Sequence, residues 1–378
     1  MNEDKGTRYR RLERRLLLIE IAAAAAALLS LACSAAPVRV RAAVQALGET
    51  MAIPPGPAST VVTAAALLAI GLLTPALAAG PAAWVRQRHL APRFGLPEIT
   101  TATWVRAQAR PGLVLVVVGA PCWVLFAHLA AWSPWLAGLL TSVSLLVVAG
   151  VVTLAAPWIV TFSPRVRPIA DEALTGRVHA LTMRAGIRVA GMHAWRLGRD
   201  GSDANAAIVG VFGGRRLLLS DNLIATCTAE EIEAVVAHEL GHHVHGHTRR
   251  RLGLQAVSGL AALLGAQAAA AGPAVWTGTG GLTDPASLPW MLIGAGAVWV
   301  GARPWRLTQS RRHEREADAY AVQMTRRPEV LERVLARLGA RTLTSDDDSL
   351  LARAFFLTHP PIAARIALAR DAGARTRS

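Results

Sequence analysis

Residues 228–242 read TAEEIEAVVAHELGH. Thr228 followed three positions later by Glu231 is a capping box, and Glu230 and Glu231 favour the positive end of a helix. Ile232, Val235, Val236 and Leu240 then recur at helical spacing. The stretch predicts a helix with His238 and His242 one turn apart on one face. Two imidazoles so placed can both reach one ion at about 2.0–2.1 Å. Glu239 sits beside that face, where a carboxylate can serve as base toward a water on the ion. An HExxH pattern also arises by accident on solvated surface helices. The cap and the amphipathic spacing weigh against that reading, and a third ligand would weigh further.

Candidates lie downstream, where residues 310–321 read SRRHEREADAYA. This predicts a charged helix with acids at 314, 316 and 318. Glu314 and Asp318 share a face, whereas Glu316 lies about 200° round from Glu314. A glutamate can be the third protein ligand of a zinc site and leave the fourth position for water. The bland alternative is a solvated helix laced with Arg–Glu pairs, and that is the expectation for Arg312, Arg315 and Glu316.

The rest of the chain reads as membrane. Of 378 residues, 53% are hydrophobic and 17% charged, against about 25% charged in soluble domains. Runs long enough for a membrane helix extend from about Leu16 to Ala36, Val61 to Trp84, Gly112 to Trp132, Trp135 to Val160, Leu252 to Trp276 and, shorter, Leu288 to Ala302. The first is too long in its apolar core for a signal peptide. Basic clusters follow alternate spans: Lys5 to Arg15, Arg86 to Arg110, Arg165 with Arg167, Arg249 to Arg251, and Arg303 to Arg312. The opposite connections hold little beyond Arg39, Arg41 and Asp284. Six spans put every basic cluster on one side, which the positive-inside rule makes cytoplasmic, with both termini and the HELGH helix. That accounts for a net charge of +15 without nucleic acid, for which no aromatic-interleaved basic motif is present.

The fold expected is mainly α: a polytopic membrane protein with a split cytoplasmic zincin-like domain. Residues 1–162 form the N-terminal membrane region with about four spans, 163–251 the first half of the catalytic domain, 252–302 a membrane hairpin, and 303–378 the second half. A small β-hairpin, Ala207 to Phe212 with Arg215 to Ser220, turns at Gly213-Gly214. The odd, scattered cysteines Cys33, Cys122 and Cys227 suggest neither a disulfide framework nor a metal knuckle.

HELGH, then a membrane hairpin, then Glu314 to Asp318 resembles the HtpX-like and CAAX-prenyl-endopeptidase-like membrane zinc peptidases, over about Ser163 to Leu368. The resemblance implies Glu314, not Glu316, as the third zinc ligand beside His238 and His242. It implies Asp318 as the partner that orients a ligand histidine. Thr358-His359-Pro360-Pro361 followed by Arg365 resembles the family's C-terminal motif, which implies His359 as a donor to the developing oxyanion and places Arg365 in the supporting shell. Asn205-Ala206 resembles the segment leading to the zinc helix. Four early spans exceed the two typical of HtpX-like proteins.

The function expected is membrane-bound, zinc-dependent endopeptidase, with one Zn2+ per chain and Glu239 as general base. Its substrates would be peptides or misfolded membrane proteins, in quality control or stress response. A substrate can lie along the Arg215–Ser220 strand by β-augmentation, near Asn205, Leu217 and Leu219; Leu217, Leu218 and Leu219 also read as core, and at least one of them is expected there. The alternative is a membrane sensor or regulatory scaffold with a zinc site and at most one dedicated substrate. His243, His245 and His247 read as capping or solvated residues, and His313 as structural.

Overall fold

The computed structural model describes residues 5–51, 56–161, 165–196, 205–210, 214–272, 274–342 and 349–377. The chain divides into two compact units: residues 1–144 with 256–302, and residues 145–255 with 303–378.

The first unit is built of membrane helices. Among the described residues, five helices are long and apolar enough to cross a bilayer: Lys5–Cys33, Pro57–Arg93, Thr101–Trp132, His247–Ala271 and Pro285–Thr325. Pro134–Thr161 is a further 28-residue helix with no Asp, Glu, Lys or Arg in it. The protein is an integral, multi-pass membrane protein. We label α1 Lys5–Cys33, α2 Ala36–Thr50, α3 Pro57–Trp84, α4 Thr101–Trp132 and α5 Pro134–Thr161. Large apolar side chains such as Leu77, Val117 and Leu125 are more than half exposed, as side chains that meet lipid tails would be. Leu67, Leu68, Trp123 and Phe126 pack inward with Met291.

Charge pairs lie inside this unit. Glu20, inside α1, is nearly buried and accepts from Arg86 Nε at 2.6 Å and Nη2 at 3.0 Å. Arg41 pairs with Asp284, whose other oxygen caps the short turn at Ala286. Arg41 and Asp284, set aside above as residual loop charges, are therefore partners. The hairpin helices touch backbone to backbone. A Cβ on Gly294 would collide with the Gly265 carbonyl oxygen, the close approach that small residues permit between membrane helices.

The second unit carries the site. In order it runs β1 Val166–Pro168, α6 Glu172–Arg184, β2 Gly191–Trp195, β3 Ala206–Val209, β4 Arg216–Ser220, α7 Asp221–Thr226, α8 Ala229–Val244 and the start of α9 His247–Ala271. After α10 Leu288–Gly301 it resumes with α11 Arg303–Thr325, α12 Pro328–Thr342, α13 Leu350–Phe355 and α14 Ile362–Arg377. The apolar run ends at Gly301, and the arginine-rich α11 lies beyond it.

The sheet contains the expected hairpin and extends it by two strands. It has four strands in the order β1-β2-β4-β3, with β2 and β4 parallel and the other pairs antiparallel. Ala206 faces Leu219 and Val209 faces Arg216; Val211, Phe212 and Gly213 lie outside the described residues. Strand β4 is thus internal, paired on both sides. Leu217, Leu218 and Leu219 are all buried, and Leu217 and Leu219 join Val236, Leu240 and Val322 in the core. The expectation that Leu217 and Leu219 touch substrate fails, because neither their side chains nor their strand's edges are free.

Helices α8 and α11 cross at Gly241. A Cβ there would meet the Ala317 Cα at 3.0 Å and the Tyr320 Cβ at 3.2 Å. Ala317 is fully buried, so neither helix can yield without repacking. Gly241→Ala is expected to cost about 1–3 kcal/mol of stability and to weaken metal binding, since it pushes apart the two helices that bear the candidate ligands. Thermal unfolding and zinc titration of the variant measure both.

Candidate active site

The Thr228 hydroxyl accepts from Glu231 N at 3.3 Å, and the Glu231 carboxylate accepts from Thr228 N at 2.9 Å. The capping box therefore forms as read. Glu231 is buried and also takes both guanidinium nitrogens of Arg337 on α12, each at 2.9 Å. The first turn of α8 is anchored at both its backbone and a neighbouring helix. Three turns on, Val236, Ala237 and Leu240 bury one face, which leaves His238, Glu239 and His242 facing the α11 side and the pocket.

His238, His242 and Glu314 each offer one ligand atom, all within 4.8 Å of one another. His238 Nε2 lies 3.7 Å from Glu314 Oε2, and His242 Nε2 lies 3.6 Å from Glu314 Oε1. Ligands about 2.0–2.1 Å from a tetrahedral ion sit roughly 3.3–3.4 Å from each other, so these His–Glu separations lie a few tenths of an ångström above those of a zinc site. Both imidazoles direct Nε2 inward, and their Nδ1 atoms are engaged elsewhere. His238 Nδ1 is 2.9 Å from Asp318 Oδ1, somewhat off the ideal hydrogen-bond line. Asp318 is fully buried and accepts two bonds of 2.7 Å from Arg365 on α14. Arg365 also stands 3.5 Å from Glu314, and His359 Nδ1 lies 2.9 Å from the same carboxylate. Glu314, Asp318, Arg365 and His359 thus come together in one cluster. One pocket is lined by His238, Glu239, His242, Glu314, His359 and Arg365, with Asn205 and Ala206 at its β3 wall.

The model of peptidase family M48 matches residues 170–372, more than half of the chain. The chain belongs to peptidase family M48. A "Protease HtpX homolog" of Desulfatibacillum aliphaticivorans is 32% identical over 177 residues, 42% of this chain and 56% of that protein. A "CAAX prenyl protease 1 homolog" of Dictyostelium discoideum is 26% identical over 181 residues, 46% of this chain and 41% of that protein. The chain thus spans about half the length of these relatives. The crystal structure of S. mikatae Ste24p superposes with a TM-score of 0.69 at 21% identity, covering 84% of this chain and 77% of that one, which shows a shared fold. The M48 match ends beyond Arg365, so it takes in every candidate site residue named here.

Electrostatics in this M48 site separates the roles. Burial, with Glu314 adding repulsion, pushes Glu239 up to about 7, against the pull of His238, Arg365 and His359. Burial and the neighbouring His238 push His242 down to about 3, so it stays neutral, as a ligand must. Burial opposes charge on Glu314, but His359, His238 and Arg365 prevail and hold it down at about 2.

Three residues given a bland reading belong to the site's surroundings. His247 is buried, with Nδ1 2.8 Å from His242 Nδ1 and Nε2 2.8 Å from Glu316 Oε2. Glu316 is held by Arg312 as well and is not a merely solvated acid. His313 is buried and stacks on His247 with ring centroids 4.2 Å apart. His243 differs: its Nε2 reaches the Ile208 carbonyl at 3.1 Å, tying α8 to β3.

In metal-free protein, the Glu239 carboxyl is expected to ionise near pH 7: protonated below, carboxylate above. A protonated-carboxyl infrared band that disappears as pH rises through that range, and is missing from Glu239→Gln, is the expected result.

Proposed function

We propose that the protein is a membrane-embedded zinc endopeptidase that hydrolyses peptide bonds of peptides or misfolded membrane proteins on the cytoplasmic side. One observation carries the reading. His238, His242 and Glu314 converge while Glu239, next in sequence to a ligand, lines the same pocket and is spent on no structural bond among the described residues. A structural zinc needs no base beside it. The relatives named as proteases point the same way.

Zinc held by these residues would supply a water of pKa about 7 and polarise a substrate carbonyl. Glu239 takes the proton of the attacking water and delivers it to the leaving amine. His359, more than half exposed at the pocket mouth, is free to turn from Glu314 and donate to the oxyanion. Asp318, clamped by Arg365, holds His238 in the tautomer that presents Nε2. A peptide would pair with β3 rather than β4. Ser220 N donates to Asn205 O at 2.8 Å, so the antiparallel alternation leaves the Ala206 amide and carbonyl directed away from β4, on the pocket wall. The basic clusters after alternate spans support a cytoplasmic site and cytoplasmic termini.

Purified protein in detergent is expected to hold one zinc per chain by elemental analysis. Glu239→Gln should keep that zinc and lose casein cleavage by about 10²–10⁴-fold, the share general acid–base catalysis supplies. Cleavage at the wild-type rate in this variant would remove Glu239 from the chemistry. A zinc-loaded wild type that cleaves no substrate would favour the sensor or scaffold reading instead.

A further inference from the structure

The two histidine ligands are supported differently. His238 leans on a carboxylate directly, through Asp318. His242 reaches a carboxylate only through a third imidazole. We propose that His247 and Glu316 are positioning residues that fix the tautomer and the ring plane of His242; the inference rests on the zinc-site reading above and deepens it.

The proton positions follow from geometry. Nδ1 of His242 and Nδ1 of His247 are 2.8 Å apart. Two N–H groups would collide at that distance, and two lone pairs would repel, so one nitrogen carries a proton and the other accepts it. A neutral His242 that offers the Nε2 lone pair to a metal carries its proton on Nδ1. His247 Nδ1 is then the acceptor, and its own proton sits on Nε2. That atom faces Glu316 Oε2 at 2.8 Å, which accepts it as a carboxylate. Every donor in the chain His242–His247–Glu316 meets an acceptor, and reversing any one proton breaks a bond.

The surroundings keep this arrangement in place. Gly246, with φ 67°, ends α8 in a left-handed turn, so α9 begins at His247 and folds that ring back onto His242. His313 stacks on His247 at 15° between ring planes, and His245 stacks at 5.6 Å between centroids. Glu316 is anchored at its second oxygen by Arg312 Nε at 2.8 Å, and Arg250 stands 3.6 Å from the first. His247 is 3% exposed, so little water can take over its bond to His242. Outer-shell partners of ligand histidines are typically worth about 10–100-fold in metal affinity.

The test measures zinc affinity by chelator competition, and the visible spectrum of the cobalt-substituted protein, on the full chain in detergent. His247→Leu fills the space but accepts nothing; it is expected to weaken zinc by about 10–100-fold and to shift the cobalt bands. His247→Asp places a carboxylate acceptor near His242 and is expected to recover most of the affinity. Glu316→Ala should lose affinity several-fold, and Glu316→Gln, which keeps an acceptor oxygen, should lose less. If His247→Leu does not fold, the two Glu316 variants and His247→Asp still decide. Wild-type affinity and cobalt spectrum in His247→Leu, or in Glu316→Ala when that variant must decide, would overturn the relay. Equal losses in His247→Leu and His247→Asp would reduce His247 to packing and overturn it as well. A wild type that takes up no zinc contradicts the zinc reading itself; zinc-loaded wild type with an unaffected His247→Leu contradicts the relay alone.

Discussion

Helices α8 and α11 touch at backbone distance, with Gly241 against Ala317, and the rest of the site hangs on that contact. The histidines come from one helix and the glutamate from the other. Their ligand atoms sit 3.6–3.7 Å apart only because no side chain separates the helices where they cross. The ligand spacing on α8 is local and follows from helical geometry alone. The distance to Glu314 is a tertiary quantity, set by the packing of Leu240, Val236, Ala321 and Val322 around the crossing. A metal bridging the two helices would be bound by a preformed cradle, and in turn would hold the helices together.

A second constraint is electrostatic. Asp318 is fully buried next to His238, Glu314 and Arg365. A buried carboxylate is tolerated only with its lone pairs filled, and two bonds from Arg365 do so. Because Arg365 belongs to α14, the C-terminal helix is held to the site by the same bonds that fix Asp318 beside His238. Arg337 and Glu231 repeat the device at the other end of α8.

The catalytic helix was legible in the sequence because its signals are local: a capping box, a period of 3.6 and an HExxH motif. That Glu314 and Asp318 share the face turned toward His238 was legible from phasing together with family resemblance. The hairpin of β3 with β4 was legible, but the two further strands were not, because their pairing is non-local. Even so, RLLLS at 216–220 is a continuous apolar run, and such a run marks a strand buried on both faces rather than a half-exposed hairpin arm. His247 was read as a capping or solvated residue because it lies five residues beyond His242, across a glycine that ends the helix, where periodicity predicts nothing. Glu316 was assigned to solvent by correct phasing; α9 begins on that side of α11, which no helical wheel of α11 alone can reveal.

The central claim is that two helices far apart in sequence jointly build one metal centre with two imidazoles and one carboxylate. X-ray absorption at the zinc edge of the zinc-loaded full chain tests it most directly. The expected shell holds two imidazole nitrogens and oxygen ligands at about 2.0–2.1 Å, and it loses an oxygen contribution in Glu314→Ala. A shell of three imidazoles, or one that includes sulfur, or one unchanged in Glu314→Ala, would contradict the account.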